Sequence, residues 1–311
     1  MKKIAFFLWA LFCLYPGVPA GAALVAGVLF SLLFGNPLPV LTKRYTSNLL
    51  QVAVVGLGFG MNLLVVGKVG FEGVGYTAIT IFLSLVLGLL LGKALGVARD
   101  ASLLISAGTA ICGGSAIAAL AAAIHAESEH VSVSLVTVFL LNAAALFLFP
   151  PIGHHFGLTE TQFGLWSALA VHDTSSVVGT AMQYGAQALE VGTTVKLARA
   201  LWITPLTFAV GYFYSRGQGT KGGKIAKPWF ILGFLLASAI VTWVPGTQAA
   251  GHWLAGASRS LLVLTLFLVG SLLTKATLKT AGFRPMLQGV LLWITAASTS
   301  LYAICEGWIH L

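Results

Sequence analysis

The sequence predicts an all-α polytopic membrane protein with about eleven transmembrane helices, and three observations carry that reading. Of its 311 residues, 58% are hydrophobic and only 8% are charged, against about 25% charged in a soluble domain. Apolar runs recur along the chain at lengths near the roughly 20 residues needed for one crossing. The basic residues gather in alternate connections between those runs, as cytoplasmic loops require. The formal net charge of +9 is scattered rather than clustered, which argues against nucleic acid as a partner. No stretch is polar enough for a soluble domain, so 1–311 reads as a single integral transporter domain in the lipid bilayer.

The first run, Ile4–Tyr15, follows Lys2 and Lys3 and ends before Pro16 and Pro19. It has the outline of a secretory signal, but a short first helix suits the long membrane domain that follows. Next come Gly21–Phe34, Leu49–Gly67, Gly73–Leu95, Ala101–Ile124 and Val131–Pro150. After them come Gln162–Tyr184, Val191–Tyr214, Trp229–Val244, Ser260–Leu273 and Met286–Trp308, which makes ten helices plus the extra N-terminal one. With the N-terminus cytoplasmic, the inner loops hold thirteen Lys and Arg residues, from Lys2 to Arg284, against Lys68 and Arg259 outside. That bias places the chain in a cell (inner) membrane with the C-terminus outside, and puts the turn His125–His130 outside and His154–His155 inside. The glycine-rich stretch at 215–228 reads as a flexible cytoplasmic linker, open to dividing the chain into two bundles. Trp229, Trp243, Trp253 and Trp308 near run ends fit interfacial anchors.

Two runs are unusual. Ser106–Ala119 reads SAGTAICGGSAIAA. Gly108, Gly113 and Gly114 each weaken a helix by about 1 kcal/mol relative to alanine, while Thr109, Cys112 and Ser115 bring polar groups to mid-depth. Irregular backbone is tolerated within a membrane only where protein or a water-filled cavity surrounds it, so a discontinuous helix is expected here, as at the binding sites of secondary transporters. Close packing through small residues would also favour Gly, Ala and Ser. The second run carries His172, Asp173, Thr174, Ser175, Ser176 and Thr180 within nine positions. It reads as a second broken helix or a cavity wall.

Rise arithmetic puts Arg199 about 13 Å along its run and His172 and Asp173 about 16 to 18 Å along theirs. Cys112 to Ser115 and Asn142 fall at the same depth. Charges so placed are expensive and functional by default. Asp173 is expected to pair with Arg199 or Lys196, leaving one base over to attract an anion. His172 beside Asp173 is a candidate proton carrier. Cys13, Cys112 and Cys305 have neither metal nor disulfide spacing, and neither a metal nor another cofactor is expected. Gly56–Leu64 and Leu266–Leu273 are weakly alike in runs of opposite direction, as an inverted repeat would be.

Gly108–Ala119 closely resembles the first hallmark of the YeiH-type family of sulfate exporters (UPF0324-like). His172-Asp173-Thr174 with Val177-Val178-Gly179 resembles its second hallmark, except that Ser175-Ser176 stand where Ala-Gln is usual. Val195–Arg199 resembles the third. The resemblance implies a distant relation to the cation:proton antiporter and bile-acid symporter superfamily, with inverted repeats and two discontinuous helices crossing at the midplane.

The expectation is therefore a secondary transporter of a small inorganic or organic anion, of the sulfate, sulfonate or carboxylate class, coupled to H⁺ or Na⁺. A homodimer is left open. Thr109, Cys112, Gly113, Gly114, Ser115, Asn142, Thr174, Ser175, Lys196 and Arg199 are the candidate binding residues, and His172 and Asp173 the coupling pair. A cation/proton antiporter with Asp173 as ion site is the alternative. An intramembrane enzyme using Cys112 or Ser115 with His172 as base is disfavoured, because nothing near Cys112 in sequence would activate it.

Overall fold

The computed structural model describes residues 2–218, 229–274 and 282–309. Among them every regular element is a helix, as the composition predicts. In chain order these are α1 Lys2–Phe12, α2 Ala20–Phe34, α3 Pro39–Gly58, α4 Leu63–Ala94, α5 Arg99–Ala110, α6 Gly114–Ile124 and α7 Ser128–His155. Then follow α8 Glu160–Ala170, α9 Thr174–Met182, α10 Ala186–Ala200, α11 Ile203–Gln218, α12 Trp229–Trp243, α13 Gln248–Ser271 and α14 Phe283–Cys305. Among the described residues, four segments are long and apolar enough to cross a membrane unaided: Gly75–Ala94, Ser128–His155, Gln248–Ser271 and Phe283–Cys305. Most of the proposed linker at 215–228, and the loop carrying Lys275 and Lys279, lie outside the described residues.

Both unusual runs are broken, at Ile111–Gly113 and at Val171–Asp173. They are not, however, crossings. Were α5 and α6 collinear, Ala101 would lie about 34 Å from Ile124, and α7 would return only about 9 Å by Ser134. Instead the Ser134 hydroxyl donates to Ala101 O at 3.3 Å. A methyl group on Gly108 would lie 2.9 Å from Ile117 Cδ1. The two half-helices thus fold back on each other as a re-entrant hairpin.

The second break does the same from the other side. Leu158 and Tyr184 would be about 39 Å apart along one helix, yet the Tyr184 hydroxyl donates to Leu158 O at 2.7 Å. Gln187 N donates to Glu160 Oε2 at 2.8 Å, and the Phe163 and Tyr184 rings stack at 3.7 Å. Half-helices of 11 or 12 residues in the first hairpin and 11 and 9 in the second are about 14 to 18 Å long, half of a bilayer core.

The expected count of eleven crossings is corrected accordingly: runs Ala101–Ile124 and Gln162–Tyr184 each enter and leave by one face. Because there are two of them, they leave the expectation for the chain ends unaltered. The segment between them is turned over. His125–His130 lies on the face where α4 ends and α5 begins, and His154–His155 lies on the opposite one. The unit of hairpin followed by span occurs twice in opposite orientation, as α5–α7 and α8–α11. It is carried by other residues than the weakly similar Gly56–Leu64 and Leu266–Leu273.

Packing around the hairpins explains why they hold this geometry. The α5–α6 hairpin is pinned by α14, whose Gln288 Nε2 donates to Gly88 O at 2.9 Å and to Ser102 Oγ at 3.0 Å. Small residues let α4 and α5 approach at these positions. The α8–α9 hairpin is held by an aromatic stack of Phe149 on Trp166 at 4.2 Å, with Trp166 Nε1 donating to Ala297 O at 2.9 Å. On the other flank α1, α2 and α13 meet through Phe6, Phe30 and Phe267, and Ser238 of α12 donates to Gly58 O of α3. Trp229, Trp243, Trp253 and Trp308 are exposed, as interfacial anchors are.

Candidate functional site

The site is where the two hairpin tips meet. Gly113 holds φ +66 and ψ −124, a conformation that side chains resist. A methyl group there would lie 3.3 Å from Val138 and 3.4 Å from Asp173 Cβ. Glycine therefore lets the first tip turn, and the second tip packs against it. Gly113 N donates to Gly108 O at 2.8 Å, closing the end of α5. Helix α6 then starts at mid-depth with no side-chain cap from Gly113; the Cys112 sulfur faces Ala116 N and the Ser115 hydroxyl, and the N–H groups of Gly114 and Ser115 are left without a side-chain acceptor. Gly114 is half-buried and Ser115 exposed, so this helix start is open.

The second tip is capped. Asp173 is the N-cap of α9 and accepts from Ser175 N at 3.2 Å and from the Ser175 hydroxyl. Thr174 and Ser175 are buried in the first turn, whereas Asp173 itself is partly exposed. Asn142, midway along α7, ties this tip down. Its Oδ1 accepts from His172 N at 3.1 Å and Asp173 N at 3.3 Å.

Lys196 and Arg199 are fully buried on α10. The expected ion pair with Asp173 is replaced by another arrangement. Lys196 Nζ donates to Val171 O at 2.6 Å and Ala168 O at 3.3 Å. Arg199 Nε donates to Ala110 O at 2.6 Å, and its Nη1 to Leu169 O at 2.6 Å and Ala168 O at 3.2 Å. Lys196 thus sits at the C-terminal end of α8, and Arg199 where the C-terminal ends of α5 and α8 converge with their orphan carbonyls and negative dipole ends. Arg199 joins the two hairpins, since Ala110 belongs to one and Leu169 to the other.

Of the residues singled out in the sequence, Gly113, Asn142, His172, Asp173, Lys196 and Arg199 are brought together. Cys112 is buried among Ile111, Ala116 and Leu197, in an apolar cluster beside the tip. Ser115 is exposed on α6. Thr109 Oγ1 and Asn142 Nδ2 are buried without a hydrogen-bond partner, while the buried His172 ring faces the Val138 carbonyl of α7. Also without a partner are the buried hydroxyls of Thr137, Ser167, Thr193 and Thr194, which sequence reasoning missed. Ser and Thr in membrane helices usually bond the carbonyl four residues back, as Thr180 does to Ser176 O, so a hydroxyl free for another partner has no signature in sequence. Buried polar atoms are normally satisfied; of these exceptions only Asn142 belongs to the residues that meet at the tips. Among the described residues no His, Cys, Asp and Glu group has the arrangement of a metal site.

The comparisons with known proteins agree with this architecture in class. A family model described as "Conserved hypothetical protein 698" matches residues 13–289. A UPF0324 membrane protein of Bdellovibrio bacteriovorus is 58% identical over 100% of this chain and 96% of its own length. One from Geobacter sulfurreducens is 45% identical over 99% and 98%, and one from Bacteroides thetaiotaomicron 43% identical over 97% and 92%. No solved structure matches. The chain spans multiple apolar helices and is matched nearly end to end by these membrane proteins: it belongs to the UPF0324 family of membrane proteins, the family described as conserved hypothetical protein 698.

Proposed function

We propose that the protein is a secondary transporter of a small anion of the sulfate, sulfonate or carboxylate class, taken up where the hairpin tips meet. The observation that carries this reading is the uncapped start of α6 at mid-depth, touching a tip whose surroundings hold two buried cations and one acid. Helix N-termini attract anions through free N–H groups and the dipole. The positive ends of α6 and α9 and the negative ends of α5 and α8 offset each other at the tips. Lys196 and Arg199 against Asp173 then leave a surplus of positive charge. Arg199 acts from behind the tips, as counter-charge and as the tie between hairpins, while the anion meets backbone N–H groups of Gly114 and Ser115. Asp173, partly exposed at the tip contact, would repel an anion when ionised. Its protonation, with His172 as relay, couples the cycle to H⁺.

The basic residues support an inner-membrane orientation with the N-terminus cytoplasmic. Lys93 at the end of α4, Arg99 at the start of α5 and Arg284 at the start of α14 share one face, while no Lys or Arg lies in the turn from His154 to Glu160 on the other. The test is solid-supported-membrane electrophysiology on purified protein, screening sulfate, methanesulfonate and acetate across pH. Currents that follow an anion gradient and grow on acidification support the reading. Currents that follow Na⁺ and ignore every anion favour a cation/proton antiporter with Asp173 as ion site.

A further inference from the structure

The buried carboxamide of Asn142 has one job visible in the hydrogen bonds and one group left over. Its Oδ1 faces two backbone N–H donors, His172 N and Asp173 N. An amide NH₂ cannot accept from these, so the orientation of the side chain is decided by its surroundings. The Nδ2 group is thereby turned away from the second tip. It is a donor, it is buried, and it has no partner; the residue as a whole is 3% exposed. One helical turn earlier on α7, Val138 packs on Gly113 of the first tip, and Gly113 abuts Asp173. The unpartnered donor thus belongs to a residue of α7 that stands between the first tip, which Val138 touches, and the second, which its own Oδ1 holds.

We infer that Asn142 is the residue that makes this site choose the sign of its solute: with Oδ1 committed to the tip, it presents only N–H, and the solute must be an acceptor-only anion. This rests on the anion reading above and sharpens it. Backbone N–H groups of α6 and Nδ2 of Asn142 are donors without acceptor capacity. A cation would find no ligand among them. Sulfate, a sulfonate or an ionised carboxylate offers acceptors on every side, whereas a protonated acid would bring a hydroxyl that has no acceptor to meet. The His172 ring, next to Asp173 in the second tip and facing the Val138 carbonyl, has one donor and one acceptor nitrogen when neutral, which suits a proton relay.

The decisive variant is Asn142→Asp. It is nearly isosteric, and one carboxylate oxygen still accepts from His172 N and Asp173 N, while the donor becomes a negative acceptor. In proteoliposomes, uptake of labelled sulfate, methanesulfonate and acetate is measured for the wild type and the variant, with labelled Na⁺ as cation probe and thermal unfolding as control. For whichever anion the wild type carries, the variant is expected to raise KM at least tenfold, the loss of one hydrogen bond to a charged group being worth about 10- to 150-fold. Where Asn142→Asp does not insert, Asn142→Ser decides. Its short hydroxyl serves the tip or the solute but not both, and the same rise in KM is expected. A wild-type KM for the anion in either inserted variant overturns the inference while leaving anion transport standing. Absence of anion uptake in the wild type overturns both.

Discussion

Replacing Arg199 by alanine is the most informative single perturbation of the hairpin junction. The guanidinium bonds Ala110 O, Leu169 O and Ala168 O, and of these only Ala168 O has a second side-chain partner, Lys196. Arg199→Ala therefore strands two buried carbonyls, one on each hairpin. At about 1–3 kcal/mol for each unsatisfied group, the expected loss is about 2–6 kcal/mol. Arg199→Lys keeps the charge, but a single ammonium cannot span both hairpins as the planar fork does, so about half that loss is expected. Thermal unfolding in detergent, followed by tryptophan fluorescence, reads the difference. At roughly 2–4 °C per kcal/mol for a chain of a few hundred residues, Arg199→Ala should melt at least about 4 °C below the wild type, with Arg199→Lys between them. An Arg199→Ala protein that melts within about 1 °C of the wild type would refute the idea that this side chain ties the hairpins together.

Other outcomes follow from the same geometry. Gly113→Ala should cost about 1–3 kcal/mol from backbone strain, since a side chain resists the φ of +66 held there, and should slow transport by shifting the first tip; uptake at the wild-type rate with unchanged melting would contradict this. Asp173→Asn should leave anion uptake measurable but flatten its dependence on pH, since the amide keeps an acceptor for Ser175 N while losing the titrating proton; a retained pH dependence would move the coupling elsewhere. Gln288→Leu should lower the melting temperature without changing the KM for an anion, because its donors hold Gly88 and Ser102 far from the tips.

Much of this site was legible in the sequence. Glycines at 108, 113 and 114 mark the first break, and the polar cluster from His172 to Thr180 marks the second. Counting rise per residue put Asn142, Asp173 and Arg199 at one depth, and the structure brings them to one junction. The fold-back of both broken runs was not legible, for a physical reason. Two half-helices have the same length and hydropathy whether they continue or return. Charge asymmetry is blind to the difference as well, because no Lys or Arg lies between Arg99 and Lys196, and two re-entrant segments restore the face on which the chain continues. The partners of Lys196 and Arg199 were equally hidden. Asp173 is the conspicuous acid in the sequence, whereas the carbonyls at the ends of α5 and α8 exist as acceptors only once the helices have stopped there.

The re-entrant path of the first broken run is the claim on which the junction depends, and labelling of single cysteines tests it most directly. In a background lacking Cys13, Cys112 and Cys305, a cysteine at Ser128 and another at Lys93 should react with a membrane-impermeant maleimide from the same side of the membrane, and one at Thr159 from the opposite side. Labelling of Ser128 from the side that labels Thr159 would mean that Ala101–Ile124 passes straight through, and the meeting of the two tips would have to be abandoned.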